Sequence, residues 1–191
     1  MNASQNPQLS ELAARVYHAA HLTGTFRLRS GATSTEYFDK YRIAADPALL
    51  RAVAEHLRPM IPAGTEALAG LELGGVPIAI VLSQLTGIPA LFVRKQAKTY
   101  GTCQLTEGGS ASGRRLLVVE DVIGSGGQTI ESAQALRAEG ARVQEVLCLI
   151  DRETGGAENL LREGLSLTSL FRRRDFPSAM TTDTLSPFAS P

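Results

Sequence analysis

A chain of 191 residues has room for one domain with a small appendage, and 43% hydrophobic against 20% charged residues is ordinary globular usage, enough for a core without staples. The 19 Lys and Arg balance the 19 Asp and Glu, so net charge points to neither a nucleic acid nor an anionic membrane surface, and any anion site must come from local clustering. Two cysteines are too few for a disulfide framework, no apolar run approaches the ~20 residues of a membrane span, and Met1-Asn2-Ala3-Ser4-Gln5 lacks a charged-then-apolar signal; a cytoplasmic protein is expected.

Leu9, Leu12, Ala13, Val16, Tyr17 and Ala20 recur at helical spacing and predict a helix over 8–22. Phe26–Gly31 and Tyr37–Ile43 read as an antiparallel pair of strands, a small flap beside a main sheet. Asp46-Pro47 opens a helix whose buried face is Leu49, Leu50, Val53, Leu57 and Met60, ended by Pro59 and Pro62. Residues 67–71 form a buried strand, Gly74-Gly75 a turn, and Pro77 starts a helix that Gly87 stops. A strand at 91–93 leads into a polar, Gly-rich loop over 94–114, long enough to suggest function. A strand at 116–119, a helix at 127–138 with Gly140 as its C-cap, a strand at 146–150, a short helix around 159–162 and a strand at 165–171 complete the pattern. Alternating strands and helices predict a doubly wound parallel sheet, with right-handed crossovers bringing 72–75, 94–100, 120–128 and 151–153 to one edge. Residues 175–191, rich in Ser, Thr and Pro and without periodicity, are expected to form a weakly ordered tail after a single domain over 1–174.

The chemistry concentrates at that edge. Glu120 and Asp121 follow four apolar residues and precede Gly124-Ser125-Gly126-Gly127-Gln128, where ligands bind in open α/β sheets. The loop is neither a Walker loop nor a dinucleotide fingerprint, but its backbone N–H groups at a helix start suit a phosphate. The carboxylates suit hydroxyls, Mg²⁺ or a cationic centre, so a ligand with a phosphate and sugar hydroxyls fits both halves. Arg94, Lys95 and Lys98 enter the long loop as a clamp for a polyanion. Glu72-Leu73-Gly74-Gly75 offers a second set of backbone donors, and Arg152 a guanidinium fork for a carboxylate or planar amide. Each feature alone has a plainer reading: solvated charge, a basic loop, a tight turn, a surface ion pair with Asp151 or Glu153. His18, His21 and His56 fall in predicted helices away from the strand ends, Cys148 reads as a core residue, and Cys103 lies in the polar loop, so no transition-metal site, Ser-His-Asp arrangement or activated thiol is expected.

The segment Val118–Thr129 resembles the phosphoribosyl-diphosphate (PRPP) fingerprint of type I phosphoribosyltransferases. With Phe26-x-Leu-x-Ser-Gly, Tyr37-Phe38, Gly74-Gly75-Val76-Pro77, Arg94-Lys95-x-x-Lys98 and Asp151-Arg152-Glu153 in the same order, the chain is similar to the orotate phosphoribosyltransferases over roughly residues 8–171. The resemblance implies the type I phosphoribosyltransferase fold: a doubly wound α/β core with helices on both faces, a small N-terminal hood from 8–45 and a long mobile loop at 94–114. It implies transfer of phosphoribosyl from PRPP to orotate, giving orotidine 5′-monophosphate and pyrophosphate. Val122, Ile123 and Gly124–Gln128 would bind PRPP with Glu120 and Asp121 on its ribose hydroxyls, Gly74 and Gly75 on the pyrophosphate, and Arg94, Lys95, Lys98, Tyr100 and Arg29 on the diphosphate side. Lys98, Glu120 and Asp121 would be catalytic, and Tyr37, Phe38, Gly124 and Arg152 would position orotate. Mg²⁺ would be held mainly by PRPP, with Glu120 and Asp121 nearby, and the 94–114 loop would reach the neighbouring site of a homodimer. Three positions depart from the family pattern: Tyr100 stands for His, Arg29 for Lys and Gly124 for Thr. They leave two other readings, transfer to another nucleobase and a non-catalytic PRPP-sensing regulator.

Overall fold

The computed structural model describes residues 6–27, 31, 33–95 and 105–176. Helix α1 (Pro7–Ala20) starts where the Asn6 side chain accepts the Gln8 N–H at 3.0 Å, with proline at the first helical position. It stops short of the expected residue 22, because His21 is already extended and begins β1 (His21–Arg27). Strand β2 (Thr33–Phe38) pairs antiparallel with it, from His21–Phe38 to Arg27–Thr33. The second strand was expected to run through Ile43. Instead the ladder ends at Phe38, because its partner strand begins only at His21, where α1 ends; the Asp39 N–H takes the Ala20 carbonyl at 2.8 Å, and the Asp39 carboxylate then caps the Tyr41 N–H. The chain turns into helix α2 (Tyr41–Ala45), which buries Ile43.

Asp46 accepts the N–H groups of Ala48 and Leu49 at 2.9 and 3.0 Å and opens α3 (Pro47–Leu57), followed by a 3₁₀ turn at Arg58–Met60. Strands β3 (Ala67–Leu71), β4 (Ala90–Val93), β5 (Thr106–Glu107), β6 (Arg115–Ile123), β7 (Arg142–Asp151) and β8 (Ser166–Arg172) form one sheet in the order β5-β4-β3-β6-β7-β8. Among the described residues β4, β3, β6, β7 and β8 run parallel, and β5 is an antiparallel edge on β4 inside the stretch expected to be all loop. Helices α4 (Gly75–Thr86), α5 (Gly127–Ala138) and α6 (Gly156–Arg162) complete the crossovers. The first of these starts at Gly75 rather than at Pro77, and Gly140 (φ 89°) follows the C-cap Glu139 of α5.

Both faces of the sheet are covered, and strand alternation sorts the core. Leu117, Val119, Leu147 and Leu149 face a cluster with Leu12, Val16, Val53, Leu57, Ile78 and Leu82, whereas Leu116, Val118, Val146 and Cys148 face Ala133, Leu136 and Leu160. This is the doubly wound core expected. Phe176, beyond the last 3₁₀ turn, is buried and packs edge-on against Phe171 of β8 and Phe38 of β2, with centroids 5.5 and 6.5 Å away. The packed chain therefore runs on past residue 174, and residues 177–191 lie outside the described residues. This aromatic trio fastens the small hairpin to the main sheet. Truncating Phe171→Ala should lower unfolding stability by about 3–5 kcal/mol, measured by urea denaturation.

Candidate active site

The site follows from strand order. From β3 the chain crosses outward to β4, and from β6 it crosses the opposite way to β7, so adjacent strands send their connections apart and a crevice opens beyond their carboxyl ends. Pairing of β3 with β6 stops at Gly70–Val119, while β7 stays paired with β6 through Ile123–Asp151. The strand was expected to end before the acidic pair. It continues because β7 supports it, and Glu120 and Asp121 sit on it with one edge facing the crevice.

Both carboxylates are buried, at 9% and 5% exposure. The Asp121 N–H donates to Glu120 at 3.1 Å. Asp121 Oδ1 accepts the Val122 N–H at 2.7 Å and the Lys40 ammonium at 2.9 Å. Burial, then the neighbouring Asp121 charge, pushes the Glu120 carboxyl well above the usual carboxylate range, with Lys40 opposing. Burial would lower the Lys40 ammonium, but the Asp121 and Glu120 carboxylates outweigh it and raise its pKa.

Glycines let the backbone come close. A Cβ at Gly74 would overlap the Asp121 carboxylate, and one at Gly75 the Val119 carbonyl, so the turn after β3 lies directly against the acidic pair. Glu72 ties this turn to the basic segment: its N–H donates to the Val93 carbonyl at 2.8 Å, and its carboxylate accepts the Lys95 N–H at 2.9 Å. Arg94, half-buried, lies 3.8 Å from Glu107, and its N–H donates to the Leu105 carbonyl at 3.0 Å. The two ends of the basic loop thus meet at the crevice.

On the other side, Gly126 (φ 82°) turns the chain into α5 with no side-chain cap, leaving the first-turn N–H groups of Gly127, Gln128 and Thr129 to an incoming anion. The Asn159 side chain donates to the Ser125 carbonyl at 2.9 Å, and a Cβ at Gly156 would overlap the Gly124 carbonyl, so α6 braces the loop closely. The Arg152 N–H donates to the Ile123 carbonyl at 2.9 Å. A Cβ at Gly124 would stand 3.5 Å from the Arg152 guanidinium and 3.6 Å from the Thr154 hydroxyl, ordinary contact distances. Gly124 is therefore not demanded by crowding, and it widens the space beside Arg152.

The structure thus gathers Gly74, Gly75, Glu120, Asp121, Val122, Ile123, Gly124–Gln128 and Arg152, with Arg94 and Lys95 at the adjoining strand end. Tyr37 is half-buried and stacks on Phe26 at 5.4 Å, whereas the Phe38 side chain is 2% exposed and belongs to the core. Lys98, Tyr100, Arg29 and Cys103 lie outside the described residues. His21, expected in a helix, begins β1 and lies 3.6 Å from Glu36. Cys148 is fully buried, and burial raises its thiol pKa. Lys40 escaped the sequence reading because 37–43 looked like one strand, which assigns it no partner; a lone lysine between Phe38 and Tyr41 was the available signal.

A parallel sheet with an acidic pair and a phosphate-type glycine loop at its switch point defines the type I phosphoribosyltransferase class. No family model matches the chain. An orotate phosphoribosyltransferase of Nocardioides is 50% identical over 168 residues, 88% of this chain and 94% of that protein. The crystal structure of Mycobacterium tuberculosis orotate phosphoribosyltransferase with Fe(III) dicitrate superposes with a TM-score of 0.80 at 31% identity, covering 88% of this chain and 98% of that one. The same enzyme in complex with PRPP gives 0.75 at 29% identity, covering 88% and 98%. The chain belongs to the orotate phosphoribosyltransferase family.

The buried acidic pair has a cost that pH exposes. A carboxyl whose folded pKa is raised binds more protons in the native than in the unfolded state. Its stabilising contribution is complete below the unfolded value, ~4.3, and is lost as pH climbs through the folded value. Glu120→Gln removes that loss. Its melting temperature should match the parent's near pH 4 and exceed it by about 2 °C or more at pH 7.5, by calorimetry without ligands. A variant less stable than the parent at pH 7.5 would contradict this.

Proposed function

We propose that the chain is a cytoplasmic orotate phosphoribosyltransferase that transfers the 5-phosphoribosyl group of PRPP to orotate, releasing pyrophosphate and forming orotidine 5′-monophosphate for pyrimidine biosynthesis. The observation that carries this is the crevice between β3 and β6, where an acidic pair, a glycine turn and a glycine loop stand together in a chain 50% identical to an orotate phosphoribosyltransferase.

The roles follow from charge. The N–H groups at the start of α5, with Gly124–Gln128, take the 5′-phosphate, and Glu120 and Asp121 take the ribose hydroxyls beside the anomeric carbon. Loss of diphosphate builds positive charge on the ribose and negative charge on the leaving group. The carboxylates face the first; the Gly74-Gly75 turn, Arg94, Lys95 and Lys98 face the second, with Arg29 and Tyr100 as further diphosphate contacts. Closure of the 94–114 loop would exclude water and strengthen both effects. Arg152 binds orotate's polar edge next to Gly124, with Tyr37 beside it and Phe38 as core support. Among the described residues no group of three or more His, Cys, Asp and Glu could hold a metal ion. The two adjacent carboxylates are hard oxygen donors that suit Mg²⁺ carried chiefly by the oxygens of PRPP, where it would neutralise diphosphate charge. Among the described residues no helix is long and apolar enough to cross a membrane. Exposed Leu73 and Ile80, in or just before α4, are side chains that a homodimer interface would cover, with the 94–114 loop reaching the neighbouring site.

The decisive assay incubates the full chain with PRPP and Mg²⁺ and compares orotate, uracil and purines. Turnover is expected on orotate; turnover on a purine with none on orotate rejects the reading. Lys98→Ala should lower kcat ~10²–10³-fold with little change in the KM for PRPP, measured in the same assay.

A further inference from the structure

Lys40 belongs to the turn between β2 and α2, yet its ammonium reaches a carboxylate 81 residues further along the chain. Asp121 is buried and Lys40 largely so, with side chains 6% and 13% exposed. Such a pair is a poor way to gain stability, since desolvating two charges offsets most of their attraction and apolar residues of the same shape usually do as well. What the contact does is orient. Asp121 Oδ1 is occupied by Lys40 and by the Val122 N–H, which sets the carboxylate plane and directs Oδ2 at the Gly74 turn. Only glycine at 74 lets the turn come this close to Oδ2, since any side chain there would overlap the carboxylate.

We propose that Lys40 is a positioning residue for the ribosyl half of the reaction: it holds Asp121 so that Oδ2 faces the crevice between β6 and the Gly74-Gly75 turn, ready for a ribose hydroxyl. The inference rests on the phosphoribosyl-transfer reading above. It differs from a structural clamp in which substrates are affected. The hairpin that leads to Lys40 also carries Tyr37, so a lysine that merely seated the hairpin would influence orotate. A lysine that sets Asp121 acts on the two ribosyl phosphates, PRPP and orotidine 5′-monophosphate.

The test measures both directions of the reaction with the full chain and the variants Lys40→Met and Lys40→Arg. Lys40→Met should raise the KM for PRPP and for orotidine 5′-monophosphate about tenfold, leaving those for orotate and pyrophosphate within about threefold, and Lys40→Arg should recover most of the loss. Lys40→Met added to Asp121→Asn should do no further harm, because its target is already gone. The inference is overturned if the orotate KM rises with that of PRPP, if nothing changes, or if the two substitutions add. Should Lys40→Met not fold, Lys40→Gln and Lys40→Arg are compared with the parent by calorimetric binding of PRPP and of orotate; weaker PRPP binding alone supports the proposal, and equal losses reject it. A parent that binds PRPP but turns over no orotate would sink the functional reading, while the binding comparison still decides the role of Lys40.

Discussion

Everything at the site depends on a strand losing one neighbour before the other. Strand β6 is held on both sides through Val119, and beyond that only β7 accompanies it. The departing edge is where β3 has turned away toward β4. Backbone groups inside a sheet are used up by the ladder, whereas a strand extending past its partner presents side chains and backbone to a crevice without losing its rigidity. Glu120 and Asp121 occupy that overhang. They are placed as firmly as core residues and still face a ligand.

Close approach is the second constraint. The turn at Gly74-Gly75 lies against the Asp121 carboxylate and the Val119 carbonyl of β6, and Gly156 lies against the carbonyl of Gly124, so glycine backbone packs against β6 and against the loop that follows it. This compression brings the glycine turn after β3 directly onto the acidic pair of β6. It also crowds negative charge. The Glu120 carboxyl responds by rising far above its usual pKa, and Lys40 answers the charge on Asp121. Burying two adjacent carboxylates works against stability, because the low-dielectric surroundings that strengthen charge interactions also disfavour the charged forms.

The basic segment is tied at its ends. The ladder between β4 and β5, the Arg94–Leu105 backbone bond and the hold of Glu72 on the Lys95 N–H bring residues 95 and 105 together beside the strand end that leads to the Gly74-Gly75 turn. Glu72, two residues before Gly74, thereby links the root of the basic segment to the glycine turn.

The sequence by itself determined most of the elements and which residues stand at the strand ends. Apolar runs at 67–71 and 146–150, the helix opened by Asp46-Pro47, and the acidic pair followed by glycines are local patterns, because hydrophobic period, caps and turn glycines act within a few residues. Tertiary structure alone decided the rest. That β6 outlasts β3 depends on pairing between strands distant in the chain, so the carboxylates proved to be within the strand rather than after it. The Phe38 side chain went to the core because Phe176, itself packed on Phe171, meets it there. Lys40 found Asp121 because the hairpin ended where α1 left no further partner, turning a presumed strand into α2. No local period encodes a contact across 81 residues; only the folded sheet brings those two charges together.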